Sequence, residues 1–309
     1  MRIEILGSAA GGGFPQWNCN CQNCQSLRAG TFQGKPRTQT QVAVSDDGRS
    51  WLLLNASPDL RLQIEGSAFL HPRGGRRESP IASVLLTSAD IDQIAGLLSL
   101  RELQPIRVYG SASIRSILQD DNSAFGMLNR VPKQVVWTEV SLERSTSLLT
   151  AEEGDLGIGC SVFSLGNRYP VYVSPQRAAA LCPEEALLGV ILQSSAGGRV
   201  AYMPAVPAID DSLLRRLEDV DLLLFDGTFW SDDELIKVQG SGATAREMGH
   251  VPVSGAEGSL RRLAGLRHPR KVFLHVNNTN PMLDESGPQF REVRNAGWEV
   301  AEDGWSLRV

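Results

Sequence analysis

The sequence lacks three features that would assign it to common functional classes. It has no cluster of lysine and arginine, and 35 acidic residues against 30 basic ones give a net charge of −5. Nucleic acid binding depends on clustered positive charge, so nucleic acid is not predicted as a partner. The longest apolar runs, Ala186 to Leu192 and Val220 to Phe225, are far shorter than the ~20 residues that a membrane-spanning helix needs. The amino terminus also has no charged and apolar leader pattern, so we expect a cytoplasmic protein without a membrane span.

Cysteine is scarce as well, but its distribution is uneven. Three of the five cysteines, Cys19, Cys21 and Cys24, stand within six positions. Cysteines at i and i+2 seldom meet disulfide geometry, and an odd number does not suit a disulfide framework. Thiolate sulfurs bind zinc at ~2.3 Å, and a Cys-x-Cys-x-x-Cys turn can present three of them. The pattern therefore predicts a closed, structural zinc site whose fourth ligand comes from elsewhere in the chain.

Alternating strands and helices are the main secondary-structure signal. With 309 residues the chain can form one large α/β domain or two smaller ones. A hairpin is predicted at Asp46-Asp47-Gly48, and loops at His71 to Pro80 and Arg168 to Pro183. One-sided helical patterns predict helices at Ile91 to Glu102, Ala112 to Gln119, Asp210 to Leu217, Gly255 to Ala264 and Pro288 to Asn295. Apolar runs predict strands at Arg2 to Leu6, Gln41 to Ser45, Trp51 to Leu54, Ser83 to Leu86, Arg107 to Tyr109, Val135 to Trp137, Gly189 to Gln193, Val200 to Met203, Asp221 to Phe225, Lys271 to His275, Trp298 to Ala301 and Ser306 to Val309.

Polar side chains follow three of these strands at their carboxyl ends, where ligand sites of layered α/β folds collect. Asp90 and Asp92 follow the strand that ends near Leu86, although both could simply cap the helix after it. Asp226 and His275 end two later strands. Among the four histidines, His71 and His268 have polar, arginine-rich neighbours typical of a surface, and His250 could be a core residue or a ligand. Two histidines with one or two carboxylates suit a redox iron site, and a hydrolytic zinc site is possible with the same residues.

The strand-end residues resemble the metal loop of the metallo-β-lactamase superfamily, normally Thr-His-x-His-x-Asp-His. Thr87 and Asp92 are retained here, whereas Ser88, Asp90 and Gln93 stand at the histidine positions. The layout is similar to the cyclic phosphodiesterase branch, which has an amino-terminal three-cysteine zinc site. That branch's mid-chain histidine and bridging aspartate correspond to about Asn167 and Ala205, and Asn278 stands where it has the last zinc ligand.

Across nearly its whole length the chain resembles the pyrroloquinoline quinone (PQQ) synthesis protein B family. Most members of that family have histidine where this chain has Gln93, a departure that implies weaker or altered metal binding. The resemblance rests on the segments Gly7 to Cys21, Asn55 to Asp59, Gly96 to Glu102, Asp226 to Thr228, Met248 to His250 and His275 to Pro281.

The resemblance implies an α/β, metallo-β-lactamase-like four-layer αββα sandwich. We interpret residues 1–309 as a single such domain with an amino-terminal three-cysteine zinc-binding loop. The implied function is PQQ biosynthesis, through an iron- and O2-dependent hydroxylation of the tyrosine ring of a Glu–Tyr cross-linked precursor. Two alternatives remain open: a carrier for PQQ or its precursor, and a metal-dependent hydrolase. Loss of most histidine ligands removes the two-metal arrangement that hydrolysis uses, which favours the oxygenase.

The resulting hypothesis assigns roles to individual residues. His275 and His250, with Asp92 and one of Asp90 or Asp226, would hold a catalytic ferrous ion, and Asp226 or Asp90 could instead orient an imidazole. A small, amino-acid-derived precursor carries several carboxylates, so Arg37 and Arg101 are candidate substrate-binding residues. The oligomeric state, with a homodimer as one option, is left open.

Overall fold

The computed structural model describes residues 1–309, which form alternating strands and helices. The strands are β1 (Arg2–Gly7), β2 (Gln41–Ser45), β3 (Trp51–Leu54), β4 (Ile81–Leu85), β5 (Ile106–Gly110), β6 (Val135–Glu139), β7 (Ser145–Leu149), β8 (Asp155–Gly166), β9 (Leu187–Ser194), β10 (Arg199–Met203), β11 (Leu222–Asp226), β12 (Arg270–Leu274), β13 (Trp298–Val300) and β14 (Trp305–Arg308). The α-helices are α1 (Gln22–Arg28), α2 (Leu60–Glu65), α3 (Ile91–Ile94), α4 (Ala112–Gln119), α5 (Pro175–Ala178), α6 (Asp211–Leu217), α7 (Glu234–Gln239), α8 (Ser259–Arg262) and α9 (Pro288–Asn295). Short 3-10 helices lie at Ala68–Leu70, Ala95–Leu100, Ser123–Asn129, Pro183–Glu185 and Pro281–Leu283.

All twelve predicted strands are present, whereas β7 and β8 are additional. The prediction of one continuous α-helix from Ile91 to Glu102 is wrong. The α-helix α3 ends at Ile94, and the chain continues as a 3-10 helix to Leu100. The physical reason is a hydrogen bond of 2.9 Å from the Gly96 N–H to the Ala56 carbonyl, which takes the place of an intrahelical bond. A Cβ on Gly96 would lie 2.2 Å from the Ser57 carbonyl oxygen, so only glycine permits this approach.

Two compact units make up the chain, and the first contains Met1–Leu6, Gln41–Gly198 and Ser306–Val309. Its seven-stranded sheet has the order β14-β1-β2-β3-β4-β5-β6, and three further strands have the order β9-β8-β7. Strands β2 and β3 form the predicted antiparallel hairpin, while β3, β4, β5 and β6 pair in parallel. Trp51 and the leucines of β3 are fully buried, as expected for a strand covered on both faces.

The second unit contains Gly7–Thr40 and Arg199–Trp305. Its strands follow the order β13-β12-β11-β10, and every pair is parallel. Every residue of β11 is buried, and the ring of Phe273 stacks on Trp298 with centroids 4.0 Å apart. Because parallel strands end at one edge of a sheet, β11 and β12 deliver their last residues side by side, with Asp226 in register with Leu274.

The interpretation of residues 1–309 as a single domain with a three-cysteine loop stays a prediction. No helix combines the length and the apolar character that crossing a bilayer would require.

Candidate metal centres

A cluster of one carboxylate and two imidazoles lies at the carboxyl edge of the second unit's strands. Asp226 is the last residue of β11, and His275 directly follows β12. His250 arrives from a loop, where Gly249 with φ of +88° turns the chain and the His250 N–H bonds to the Ala245 carbonyl. Their ligand atoms all lie within 4.8 Å of one another, and all three residues are buried. We call Asp226, His250 and His275 the histidine centre; its donor set suits a metal ion.

Hydrogen bonds occupy both oxygens of the Asp226 carboxylate. Oδ1 accepts from the Thr228 N–H at 3.0 Å and from its hydroxyl at 2.6 Å. Oδ2 accepts from the Val206 N–H and from His250 Nδ1, both at 2.8 Å. The bond to Nδ1 lets the Asp226 carboxylate orient the His250 imidazole.

The same contacts set the charge of Asp226. Complete burial alone would raise the pKa of this carboxyl, but the adjacent His250, followed by His275 and the Thr228 hydroxyl, more than compensates, and the pKa lies below its ordinary value. The carboxylate is therefore an acceptor of hydrogen bonds.

The backbone at His275 has an uncommon conformation. Its φ is +57°, a left-handed value that few residues other than glycine adopt. The next segment is held by a bond of 3.0 Å from the Asn277 N–H to the Thr228 carbonyl. The His275 and His250 rings stack at 22° with centroids 5.5 Å apart. Such strain persists only where surrounding contacts impose it, which is common at functional sites.

A second cluster in the same unit contains the three cysteines predicted to bind zinc. Cys21 caps α1, Cys24 lies buried in its first turns, and Cys19 precedes it. Their sulfur atoms all lie within 4.8 Å of one another. The Arg28 guanidinium holds the preceding loop by donating to the Cys19 and Gln16 carbonyls. We call Cys19, Cys21 and Cys24 the cysteine nest.

Asn278 lies at the open side of the cysteine nest. The terminal amide nitrogen is 3.1, 3.6 and 3.4 Å from the sulfurs of Cys19, Cys21 and Cys24. Bond lengths of ~2.3 Å for zinc–sulfur and ~2.0 Å for zinc–oxygen give ~3.5 Å between ligands of a tetrahedral ion. The end of this amide therefore lies at the distance of a fourth ligand. A 180° turn of the amide would present its oxygen at the same point.

The thiols of the nest differ in acidity. Burial raises the pKa of Cys19, but hydrogen bonds from the Cys21 N–H and from Cys21, Cys24 and Asn278 side chains bring it below its ordinary value. The pKa of Cys21 is raised to about 11, chiefly by burial. A metal binds thiolates, so binding at the nest must release protons.

The segment Asn277–Asn280, which we call the asparagine loop, connects the two clusters. The Asn278 and Asn280 carbonyls both accept from the Asn23 side chain of α1 at 3.1 Å. Toward the histidine centre, the Asn280 amide donates to the Gly227 carbonyl at 3.0 Å. Within the loop, the Thr279 hydroxyl donates to the carboxyl of the buried Glu234 at 2.5 Å. The loop is therefore fixed at both ends and in the middle.

Glu234 should make the stability of the protein depend on pH. Burial raises its pKa from 4.5 to about 7, so the folded state keeps a proton that the unfolded state has lost. The free energy of unfolding should therefore fall as pH rises from about 4.5 to about 7, by about 3 kcal/mol. Denaturant unfolding across this range should show the fall in the natural protein and not in Glu234→Gln. Equal slopes for the two proteins would contradict this account.

In the first unit, the predicted ligands Asp90 and Asp92 lie in a polar network at the end of β4. The Ser88 hydroxyl donates to Asp90 at 2.8 Å, and the Gln93 amide donates to Asp92 at 3.1 Å. Gln93 also accepts from Asn55 at 2.5 Å. Asn55 follows β3 with φ of +66°, as His275 follows β12 in the other unit. The roles of Asp90 and Asp92 as metal ligands stay predictions.

The two arginines predicted to bind substrate have different surroundings. Arg37 is only 4% exposed and donates to the Ser8 hydroxyl at 3.1 Å. Burial lowers its pKa, opposed by Asp303 and other nearby carboxylates. This location favours a structural role for Arg37. Arg101 is exposed, donates to the Leu98 carbonyl and lies near Glu102. Substrate contact by either arginine stays a prediction.

The sequence analysis assigned no role to two residues that the structure places beside candidate site residues, Thr228 in the histidine centre and Asn55 in the polar network at the end of β4. The Thr228 hydroxyl contacts Asp226, His250 and His275, and Asn55 contacts both Thr87 and Gln93. Thr228 could have been found from its position two residues after a strand-end aspartate. Asn55 could have been found from its position directly after β3.

Comparison with known proteins gives a consistent result. Residues 50–276 match the family described as the beta-lactamase superfamily domain. The chain is 42% identical over 309 residues to coenzyme PQQ synthesis protein B of Methylobacterium sp. (strain 4-46), covering all of both chains. The crystal structure of Zn2+-bound PqqB from Methylobacterium extorquens superposes with a TM-score of 0.91 at 39% identity, again with full coverage of both chains.

A more distant structure shows how widely the fold is used. A diphosphatase from the PhnP family superposes with a TM-score of 0.67 at 19% identity, over 100% of this chain and 97% of that one. At that identity the likeness concerns the fold alone. The prediction of an α/β, metallo-β-lactamase-like fold, with two sheets packed with helices, is confirmed.

Proposed function

Because the chain belongs to the coenzyme PQQ synthesis protein B family of the beta-lactamase superfamily, we propose that it acts in the biosynthesis of PQQ. The reaction we propose is the iron- and O2-dependent hydroxylation of the tyrosine ring of a Glu–Tyr cross-linked precursor, in the cytoplasm. The observation that carries the proposal is the histidine centre, where two buried imidazoles meet beside a hydrogen-bonded carboxylate.

The two imidazoles of the histidine centre fit ferrous iron, which is commonly held by two histidines and a carboxylate with open positions. When bound, the iron would supply the redox chemistry toward O2. His275 and His250 would bind it, and Asp226 would orient His250 through the bond of 2.8 Å to Nδ1. The carboxylate ligand, which the sequence predicts to be Asp92 with one of Asp90 or Asp226, stays a prediction.

Gln93 sets this chain apart from the family pattern. Its amide is engaged on both sides, donating to Asp92 and accepting from Asn55. We propose that Gln93 positions the Asp92 carboxylate and is not itself a ligand.

The cysteine nest would hold a structural zinc ion. The end of the Asn278 amide lies 3.1, 3.6 and 3.4 Å from the three sulfur atoms, near the spacing of ligands around a tetrahedral ion, and the similar protein from Methylobacterium extorquens was crystallised with zinc. We propose that Asn278 provides the fourth ligand through its side-chain oxygen.

The deciding experiment is O2 uptake by anaerobically prepared protein loaded with ferrous iron and mixed with the cross-linked precursor and a reductant. Hydroxylation breaks one ring C–H bond and forms a C–O bond, while two electrons from the reductant and two protons convert the second oxygen atom to water. A product heavier by one oxygen atom, formed with iron and not with zinc in the histidine centre, is expected. Tight binding of precursor or PQQ without O2 uptake would favour a carrier, and hydrolysis with two metals bound would favour a hydrolase.

A further inference from the structure

We infer that Thr228 is a positioning residue that fixes the ring tautomer of His275, so that its Nε2 atom carries the lone pair available to a metal. The Thr228 hydroxyl lies 2.6 Å from Asp226 Oδ1, 2.8 Å from His275 Nδ1 and 3.1 Å from His250 Nδ1. The inference rests on the proposal that His275 binds a metal. It concerns the protonation of the ring rather than the reaction.

The number of protons available around Thr228 limits which of its contacts can be donated. A hydroxyl group has one proton to donate and can accept two hydrogen bonds. The backbone N–H groups of Val206 and Thr228 donate to the two oxygens of Asp226, which favours the ionised carboxylate, and an ionised carboxylate has no proton to donate. The close contact between Thr228 and Asp226 therefore consumes the hydroxyl proton. Toward the imidazoles, the Thr228 oxygen can only accept.

The tautomers of both rings follow from this count. In a neutral imidazole one nitrogen donates and the other accepts. His275 Nδ1 faces the Thr228 oxygen and so must carry the proton. His250 Nδ1 lies 2.8 Å from Asp226 Oδ2 and must also donate. In the neutral form of both rings the proton is then on Nδ1, so Nε2 is the nitrogen through which a metal would bind.

The backbone of Thr228 is held independently of its side chain, which makes the inference testable. Its N–H donates to Asp226, and its carbonyl accepts from the Asn277 N–H. The preceding Gly227 has no room for a side chain, because a Cβ would lie 2.9 Å from Phe273 Cβ and Met282 Cε. A substitution that removes only the hydroxyl should thus leave the chain in place.

The experiment compares Thr228→Val, which lacks the hydroxyl, with Thr228→Ser, which keeps it. Full-length protein labelled with 15N-histidine contains only four imidazoles, and His71→Gln and His268→Gln identify two of them. Spectra recorded at pH ~9, well above the ~6.5 pKa of free imidazole, report which nitrogen carries the proton. Cobalt(II) affinity at the histidine centre is measured by calorimetry, with zinc already in the cysteine nest.

The natural protein and Thr228→Ser should show His275 protonated on Nδ1, with cobalt affinities within a few fold of each other. Thr228→Val should show His275 partly or wholly protonated on Nε2 and bind cobalt about 10–100-fold more weakly, as loss of a partner that orients a ligand does. If Thr228→Val does not fold, Thr228→Ala replaces it. An unchanged tautomer and affinity without the hydroxyl would overturn the inference.

The readouts separate this inference from the proposed function. Neither spectrum nor calorimetry needs substrate or O2, so a protein that fails to hydroxylate can still confirm the role of Thr228. Conversely, failure of cobalt to perturb the His275 resonances would refute the metal assignment, while the tautomer in the metal-free protein would still decide the inference.

Discussion

Replacing His275 by alanine is expected to remove metal from the histidine centre and to abolish metal-dependent turnover. Loss of a group that merely orients a metal ligand typically costs 10–100-fold in affinity or activity. Loss of the ligand itself should cost at least ~100-fold. The effect should be strong, because His275 is buried and its ring contacts Thr228 and His250 in the histidine centre. Metal content, metal affinity and O2 uptake with the cross-linked precursor measure it.

His268→Ala is the matched control. Its side chain is 62% exposed and lies 3.4 Å from Asp221, away from any cluster of ligand atoms. It should leave iron content and turnover unchanged. A His275→Ala protein that is folded and binds iron as tightly as the natural protein would refute the assignment of the histidine centre.

Replacing Cys21 by serine is expected to release zinc and to destabilise the fold. The nest joins the start of α1 to Asn278, which lies over 250 positions later in the chain, so a bound ion closes a long loop. Structural zinc can release ~10–16 kcal/mol on binding, and loss of one of four ligands should remove on the order of 2–5 kcal/mol of stability. Zinc content by mass spectrometry and the midpoint of thermal unfolding measure the change.

Two further variants give this experiment its controls. Cys182→Ser removes an exposed thiol outside the nest and should alter neither zinc content nor unfolding. Asn278→Ala should weaken zinc binding while leaving three thiolates, whereas Asn278→Asp, which keeps an oxygen at the same position, should retain it. Full zinc content in Cys21→Ser would show that the nest is not the zinc site.

The sequence contains enough information to predict most strands, because each apolar run must be buried in a sheet and is bounded by turn residues. It predicts β7 and β8 poorly, since Gly157, Gly159 and several serines interrupt their apolar pattern. The regularity of the helix after Asp90 was also unpredictable. It depends on a hydrogen bond between Gly96 and Ala56, which are 40 positions apart in the chain.

In the candidate sites, too, local sequence patterns could be interpreted, whereas contacts between distant segments could not. Strand ends identify Asp226 and His275 because parallel strands finish at a common edge, and local spacing identifies the three cysteines. The position of Asn278 above those cysteines could only be suggested by resemblance, since it depends on a contact between distant segments. The burial of Arg37 beside Ser8 could not be predicted either, because the charge of a residue does not show whether its side chain faces solvent or the protein interior.

The asparagine loop begins two residues after His275 and contains Asn278, so these two proposed metal ligands are three positions apart in one anchored segment. If zinc binding at Asn278 shifts this segment, it also shifts His275, and any change that zinc makes in the affinity for iron is matched by an equal change that iron makes in the affinity for zinc. Oxidation of the thiols, which removes the zinc ligands, would then alter iron binding without touching an iron ligand.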